Sequence, residues 1–160
     1  MMHQEDDAGE GGTGAPPDVH ESNRAPDLTR EYRSNEITVR WYAKRCIHSA
    51  QCIRHAPGVF DPRRRPWIDL EKGDVDRIMR AVSACPTGAL EYVMPEGAVQ
   101  EVPDQTVVEL VPDGPLFLRG QITIKDEQGR VIRETSRVAL CRCGGTKNPP
   151  FCDNSHRAER

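Results

Sequence analysis

The local fold near the C-terminal end of the chain is decided by the stretch Cys141-Arg142-Cys143-Gly144-Gly145-Thr146-Lys147-Asn148-Pro149-Pro150-Phe151-Cys152-Asp153-Asn154-Ser155-His156. The glycines, prolines, Asp and Asn between the cysteines favour loop backbone over core. Cys141 and Cys143, one residue apart, are expected to direct their thiolates to one side of a tight loop. Cys152 and His156 are four residues apart, which predicts that they share one face of a helical turn. Three cysteines and a histidine converging in this way predict a metal site.

This stretch resembles the CDGSH iron-sulfur family, the mitoNEET-like proteins. The family pattern has serine or threonine, and then proline, where this chain has Thr146 and Pro150. The resemblance implies a [2Fe-2S] cluster whose four ligands are paired on its two irons as Cys141 with Cys143 and Cys152 with His156. A mononuclear zinc ion is the alternative, because zinc also accepts three cysteines and one histidine.

The chain departs from the family pattern at Asn154, which stands where the family has glycine. We expect a positive φ there, because Asn is the residue other than glycine that best tolerates it. Thr146 belongs to the matched pattern, and Asp153 and Ser155 flank the ligands. All three are candidates to orient the ligands from behind, and a loop-capping role is compatible with this.

The other three cysteines, Cys46, Cys52 and Cys85, form a second constellation. Bacterial ferredoxins hold a cubane cluster with a C-x2-C-x2-C run and a remote Cys-Pro. Here Ser49 occupies the middle place of the run, and Cys85, followed by proline, looks like the closing ligand. A [3Fe-4S] cluster needs only three thiolates, whereas a [4Fe-4S] cluster can take His48, Ser49 or an exogenous ligand on its fourth iron. Three unrelated buried thiols are the remaining alternative.

The wider segment, from about residue 35 to residue 93, resembles a divergent single-cluster 4Fe-4S domain of small bacterial proteins. The resemblance rests on Ile37-Thr38-Val39, Cys46, His48-Ser49, Cys52, Pro66-Trp67-Ile68 and Cys85-Pro86. A missing middle cysteine is usual in that family, so the resemblance implies that Ser49 is no defect. It also makes His48 a candidate ligand or hydrogen-bond donor to the cluster. The alternative is a partly exposed histidine satisfied by backbone groups.

The predicted fold class is α+β, with a small ferredoxin-like module followed by a β-rich CDGSH module. Residues 1–30 are predicted to form a disordered tail, since the segment is rich in Gly, Pro and acidic residues. Residues 31–94 are predicted to form the divergent 4Fe-4S mono-cluster domain and residues 105–160 the CDGSH-type domain. The stretch Met94–Gln105 lacks periodicity and is predicted to be the linker.

Hydrophobic periodicity predicts the elements within each module. The first module is predicted to contain a strand over residues 36–41, a helix over about 75–84 capped by Asp74, and a closing strand through Leu90 and Tyr92. The second is predicted to contain strands over residues 106–111, 116–124, 131–132 and 138–140.

The amino-acid composition limits the classes of protein to which the chain is expected to belong. Aromatic residues make up only 5% of the chain, and modules of this size commonly depend on metals or disulfides. Three disulfides are not expected, because the segment Met1–Asp7 is acidic and begins no secretory signal. A reducing cytoplasm, which keeps thiols free for metal, is therefore the expected location. No apolar stretch nears the roughly 20 residues of a membrane helix, so membrane association is not expected.

Charge is unevenly distributed along the chain. The net charge is −3, yet residues 31–95 hold eleven basic and eight acidic residues. The densest basic cluster is Arg63-Arg64-Arg65, which is either a solvated surface or a docking surface for an acidic redox partner. Because no aromatic residues interleave with these bases, nucleic acid is not an expected partner.

The sequence shows no nucleotide loop and no Ser/His/Asp set, so an enzyme is not expected. The favoured function is a soluble iron-sulfur protein that acts in one-electron transfer or cluster handling. Its expected partner is a redox protein or a cluster acceptor, and a homodimer is left open. A redox or iron-stress sensor and a zinc-binding structural module are the alternatives.

Overall fold

The computed structural model describes residues 27–155, which form two small antiparallel sheets of three strands each, with few helices. The elements are β1 Arg30–Arg33, β2 Thr38–Trp41, α1 Gln51–His55, α2 Val75–Ser83, β3 Leu90–Val93, β4 Val107–Leu110, β5 Leu116–Lys125 and β6 Val131–Leu140. Single turns of 3-10 helix cover Ala43–Arg45 and Leu70–Lys72. The strand orders are β1-β2-β3 and β4-β5-β6. The β-rich character agrees with expectation, and the ferredoxin-like arrangement of the first module stays a prediction.

The first sheet carries the larger hydrophobic core. Tyr32, Val39 and Tyr92 are directly paired across β1, β2 and β3, and all three are buried. Ile78 and Val82 of α2 belong to the same core. Burying a side chain of this size contributes roughly 1.5–3 kcal/mol relative to leaving it exposed. The first module is therefore held together mainly by apolar packing.

The predicted helix over residues 75–84 is confirmed as α2, one residue shorter. The carboxylate of Asp74 accepts a hydrogen bond of 2.8 Å from the backbone N–H of Arg77, which is the predicted cap. The helix ends shortly before Pro86, which cannot continue it. Its last turn therefore delivers Cys85 to the inside of the module, where that residue is buried.

Two elements were not predicted. Arg30, the last residue of the predicted tail, begins β1, and the N–H of Thr29 bonds the carbonyl of Trp41 at 2.9 Å. The rest of the predicted tail, residues 1–26, lies outside the described residues. The helix α1 has only five residues, too few for a periodic pattern to show.

The second sheet is dominated by the long hairpin of β5 and β6. The strand β6 is continuous over ten residues where two short strands were predicted. The register shifts between Arg119 and Ile122, and Gly120 lies at this irregularity with a φ of +135°. A Cβ on Gly120 would lie 2.6 Å from the Cα of Thr106, so no side chain fits there. The apolar residues Val138 and Ala139 of β6 are buried.

The segment predicted as a linker is bonded to both modules. The amide of Gln100 donates to the hydroxyl of Ser83 at 2.9 Å, and its carbonyl accepts from Arg137 at 2.7 Å. Arg137 lies on β6 and is only 3% exposed. The two modules therefore share buried polar contacts. The longest helix of residues 27–155 is α2, and no helix in this range combines the length and apolar character needed to cross a membrane.

Candidate metal centres

Three cysteines of the first module line one cavity of about 660 Å³. They are Cys46, Cys52 and Cys85, and His48 and Ser49 line the same cavity. The three predicted thiol ligands and both side chains predicted as candidates for a fourth position thus lie around one cavity.

The loop between Cys46 and Cys52 is shaped by left-handed backbone. His48 has a φ of 56° and Ala50 a φ of 59°, in the region that non-glycine residues rarely adopt. Such conformations cost on the order of 1–3 kcal/mol each and persist where the surroundings enforce them. These two left-handed residues flank Ser49 and shape the loop between the two candidate ligands.

Burial controls the protonation of these thiols. It raises the pKa of Cys46, and it raises that of Cys52 to about 11, with the nearby Cys85 adding to the shift. In the metal-free protein both thiols therefore keep their protons at neutral pH. Binding a metal centre would release those protons, because thiolates are the ligand form.

One wall of the cavity is aromatic. Trp41 and Trp67 meet edge to face with their ring centroids 5.0 Å apart. The indole Nε1 of Trp41 is buried and has no hydrogen-bond partner among residues 27–155. An unpaired buried donor beside three thiols fits an acceptor-rich guest such as an iron-sulfur cluster.

The second site is smaller and lies at the end of β6. Cys141, Cys143 and Cys152 line a cavity of about 270 Å³. The sulfur atoms of Cys141 and Cys143 are 3.5 Å apart. Two thiolates bound to one ion by bonds of about 2.3 Å at tetrahedral angles lie about 3.8 Å apart, so this pair fits a common metal. His156, the fourth predicted ligand, lies outside the described residues.

Backbone hydrogen bonds fix this loop to the second sheet. The N–H of Cys141 bonds the carbonyl of Pro150 at 2.9 Å, and the N–H of Cys152 bonds the carbonyl of Ala139 at 2.8 Å.

Within residues 27–155, no three Cys, His, Asp or Glu side chains are grouped closely enough to surround a single metal ion.

The residues predicted to orient the ligands hold the loop in shape. The Thr146 hydroxyl donates to the carbonyl of Phe151 at 2.7 Å. The Asp153 carboxylate accepts from the N–H of Lys147 at 2.9 Å and from the Ser155 hydroxyl at 2.6 Å. The Ser155 hydroxyl and these backbone donors hold the pKa of Asp153 below its usual range. These contacts are compatible with both predicted roles, loop capping and ligand orientation.

Asn154 has the positive φ that the sequence predicts, with a value of 66°. The predicted helical turn from Cys152 to His156 ends at a residue outside the described range, and that the two side chains share one face stays a prediction. Within the described residues, the segment 152–154 is irregular and Asn154 is left-handed.

The thiols of the second site differ in acidity. Burial raises the pKa of Cys152. Burial also acts to raise the pKa of Cys141, but hydrogen bonds from the Cys143 thiol and from the N–H groups of Gly144 and Thr146 outweigh it and lower that pKa. Cys141 is therefore the more readily ionised of the two.

The side chains of the arginine cluster, residues 63–65, form hydrogen bonds and an ion pair with neighbouring groups of the protein. Arg63 pairs with Asp61 at 3.1 Å. Arg64 donates to the carbonyl of Val59 at 2.9 Å, and Arg65 donates to the carbonyl of Pro62 at 2.9 Å. The docking surface for an acidic partner stays a prediction.

Two protein-family models match the chain. Residues 32–95 match the model described as divergent 4Fe-4S mono-cluster, and residues 113–157 match the model described as iron-binding zinc finger CDGSH type. The chain is also similar to the protein named YjdI from Escherichia coli strain K12 and to YjdI from Escherichia coli O157:H7. Each is 35% identical over 63 residues, which are 39% of this chain and 83% of the relative.

Proposed function

Because residues 32–95 belong to the divergent 4Fe-4S mono-cluster family and residues 113–157 to the iron-binding CDGSH family, the chain is an iron-sulfur protein, and we propose that it holds two clusters and carries single electrons. The observation that carries this proposal is the presence of two cavities, each lined by three cysteines. Iron-sulfur clusters supply reversible one-electron oxidation and reduction, at potentials set by their ligands and surroundings.

The first centre is proposed to be a [4Fe-4S] or [3Fe-4S] cluster held by Cys46, Cys52 and Cys85. The cavity that these three cysteines share supports this assignment. His48 and Ser49 are the candidates within the chain for a fourth position, since both line the cavity.

The second centre is proposed to be a [2Fe-2S] cluster, held by Cys141, Cys143, Cys152 and His156. The 3.5 Å distance between the first two sulfur atoms supports a shared metal for that pair. Imidazole is a neutral ligand and a weaker electron donor than thiolate, so it raises the reduction potential of the centre it binds. Of the two proposed centres, the second, which His156 would bind, is therefore the one that accepts the electron.

Cluster handling is the second candidate function, and the exposure of the second site favours it. Cys143 is exposed, whereas Cys85 at the first site is buried. A partly exposed centre is accessible to an acceptor protein, so its cluster can be donated. The proposed partner is accordingly a redox protein or a cluster acceptor.

Metal and sulfide counting after anaerobic purification tests the proposal. About five to six irons per chain, with matching acid-labile sulfide, is expected for two clusters. Electron paramagnetic resonance (EPR) spectra of the oxidised and reduced protein then separate [3Fe-4S] from [4Fe-4S]. About two irons would leave only the second centre, and stoichiometric zinc without sulfide would contradict the proposal and support the zinc module.

A further inference from the structure

The loops that carry the two candidate centres touch each other. The side-chain amide Nδ2 of Asn154 donates a hydrogen bond of 3.3 Å to the backbone carbonyl of Ile47. Ile47 directly follows Cys46, and Asn154 lies two residues after Cys152. One ligand of each centre is therefore next to this hydrogen bond.

A second set of contacts joins the residues that precede the same two ligands. Arg45, which precedes Cys46, is 3% exposed and holds the Asp27 carboxylate through two bonds of 2.7 and 2.9 Å. Asp27 also lies 3.9 Å from Arg133 of β6. The Arg133 guanidinium stacks on the ring of Phe151 at 3.6 Å from its centroid, and Phe151 precedes Cys152. On one side of Cys46, Arg45 is thus connected through Asp27 and Arg133 to Phe151. On the other side, Ile47 is connected to Asn154.

A buried cation fixes this arrangement from the inside. Arg137 of β6 donates to the backbone carbonyls of Cys85 at 2.9 Å and Leu90 at 2.7 Å, both in the first module. The same strand leads after Leu140 into Cys141. Separating the modules would break these charge-assisted hydrogen bonds, each of which stabilises the contact more than a neutral hydrogen bond does. The relative placement of the two ligand loops is therefore held rigidly.

These contacts limit the separation of the two ligands. Consecutive Cα atoms are about 3.8 Å apart, and even a fully extended path through the Asn154 hydrogen bond puts the Cα atoms of Cys46 and Cys152 within roughly 20 Å. We call this contact between the Ile47 loop and the Asn154 loop the joint. Because electron tunnelling weakens steeply with distance, the joint favours electron transfer between the two centres of one chain.

We infer that the joint between the two loops is an electron path, in which Cys46 and Cys152 are the facing ligands and Asn154 positions one loop on the other. This inference rests on the proposed function. One electron leaves the first centre, which is oxidised, and reduces the second. An external one-electron reductant then restores the first. As a weaker donor than thiolate, the predicted His156 ligand would raise the reduction potential of the second centre, which favours this direction.

The inference gives a physical reason for Asn154, where the CDGSH pattern has glycine. Glycine would satisfy the positive φ equally well but has no side chain to donate a hydrogen bond. Asn satisfies the backbone and also reaches the carbonyl of Ile47.

EPR spectroscopy of the full chain with both centres in their paramagnetic states tests the path. Two nearby spins should broaden or split each other's signals. The Cys85→Ser variant, which lacks the first centre, should show the second centre's signal without this broadening. A wild-type spectrum equal to the sum of the Cys85→Ser and Cys152→Ser spectra would overturn the path while leaving two clusters in place. Finding fewer than two clusters per chain would overturn the proposed function and the path together.

Variants at Asn154 test its positioning role. Asn154→Gly keeps the backbone and loses the amide, and Asn154→Asp keeps the size and loses the donor. Loss of one neutral hydrogen bond changes the docked-to-undocked ratio of the loops by roughly fivefold. We therefore expect both variants to weaken the magnetic interaction and to slow photoinduced transfer between the centres by no more than this factor, with unchanged iron content. Asn148→Gly, at an exposed position of the same loop, is the matched control. Unchanged coupling in both Asn154 variants would show that Asn154 is not the positioning residue.

Discussion

The two candidate centres are built by different physical means. At the first, Cys85 is buried and Cys46 and Cys52 pack against a continuous hydrophobic core. At the second, Cys143 is exposed, and the loop is shaped by hydrogen bonds that the Thr146 hydroxyl donates and the Asp153 carboxylate accepts. The first site therefore depends on the packing of its module, while the second depends on local turn chemistry attached to one strand.

This difference implies different vulnerabilities. Disturbing the core should affect the first centre before the second, whereas solvent, acid and acceptor proteins reach the second more easily. The two centres are not fully independent, because the Arg137 side chain connects β6 to the carbonyl of Cys85 in the first module. Substitutions at one site that spare the other can therefore show how far the two centres are independent.

Cys85→Ser is expected to have the largest effect. It should abolish the first cluster and leave the visible and EPR spectra of the second, because the ligand sets are separate and Ser keeps the volume of the side chain. Iron content should fall to about two atoms per chain. Cys152→Ser is the matched variant for the other site. Loss of both clusters in Cys85→Ser would show that the two sites assemble as one unit.

Arg137→Met should come next. It removes a buried guanidinium and leaves the carbonyls of Cys85 and Leu90 without their donor. Leaving a buried acceptor without its donor costs about 1–3 kcal/mol, and several acceptors are affected, so urea unfolding can measure the loss of stability. Arg130→Met, whose side chain is 77% exposed and paired with Asp126, should cost less than about 1 kcal/mol. Equal losses of stability in the two variants would contradict a structural role for the Arg137 hydrogen bonds between the modules.

The acidity of the thiols in the metal-free chain should differ between the sites. Hydrogen bonds lower the pKa of Cys141, while burial raises that of Cys52 to about 11. Iodoacetamide alkylation near pH 8, mapped by mass spectrometry, should therefore modify Cys141 well before Cys52. A faster reaction at Cys52 would show that the first cavity is open to water.

The same shift predicts a pH dependence of stability for the metal-free chain. The pKa of Cys52 in the folded state lies above the value of about 8.5 for a free cysteine. Its contribution to the free energy of unfolding is therefore fully present below about pH 8.5 and is lost as pH rises through about 11. Cys52→Ala should flatten this part of the stability curve, and an unchanged alkaline slope would contradict the prediction.

Substitution of His156 tests the proposed ligand of the second centre. His156→Cys should keep the [2Fe-2S] cluster but lower its reduction potential, because thiolate donates more electron density than imidazole. It should also reduce bleaching of the cluster in mild acid, since protonation of a ligating imidazole breaks the bond. His55→Cys, at an exposed position of α1, is the control. Equal acid bleaching of His156→Cys and wild type would exclude His156 as a ligand.

Local signals predicted much of this architecture. Asp74 was recognised as a cap because its carboxylate precedes an amphipathic stretch, whereas the positive φ of Asn154 was implied by the glycine that the resembled family has at that position. In contrast, β1 carries only Tyr32 as an inward apolar residue, so alternation could not reveal it. Arg137 resembles a surface arginine in sequence. Its acceptors are mainly backbone carbonyls, which leave no trace in side-chain patterns.

Ser49→Cys is expected to have the subtlest effect. Ser49 is three residues from both Cys46 and Cys52, and it lines the same cavity. A cysteine there restores the ferredoxin run and should favour [4Fe-4S] over [3Fe-4S], because a fourth thiolate retains the corner iron against oxidation. The oxidised variant should be EPR-silent, whereas an oxidised [3Fe-4S] wild type gives a signal. Ser136→Cys, half-buried on β6, is the control.

His48 supplies the competing explanation at this corner. If it already binds the fourth iron, oxidised wild type will be EPR-silent and His48→Ala will produce the three-iron signal. His48 directly precedes Ser49 and lines the same cavity, so the two substitutions probe one corner of the cluster. If neither changes the cluster type, the loop is not arranged like that of a ferredoxin. The assignment of Cys46 and Cys52 as ligands would then fail, and with it the contrast between a centre held by the core and a centre held by a turn.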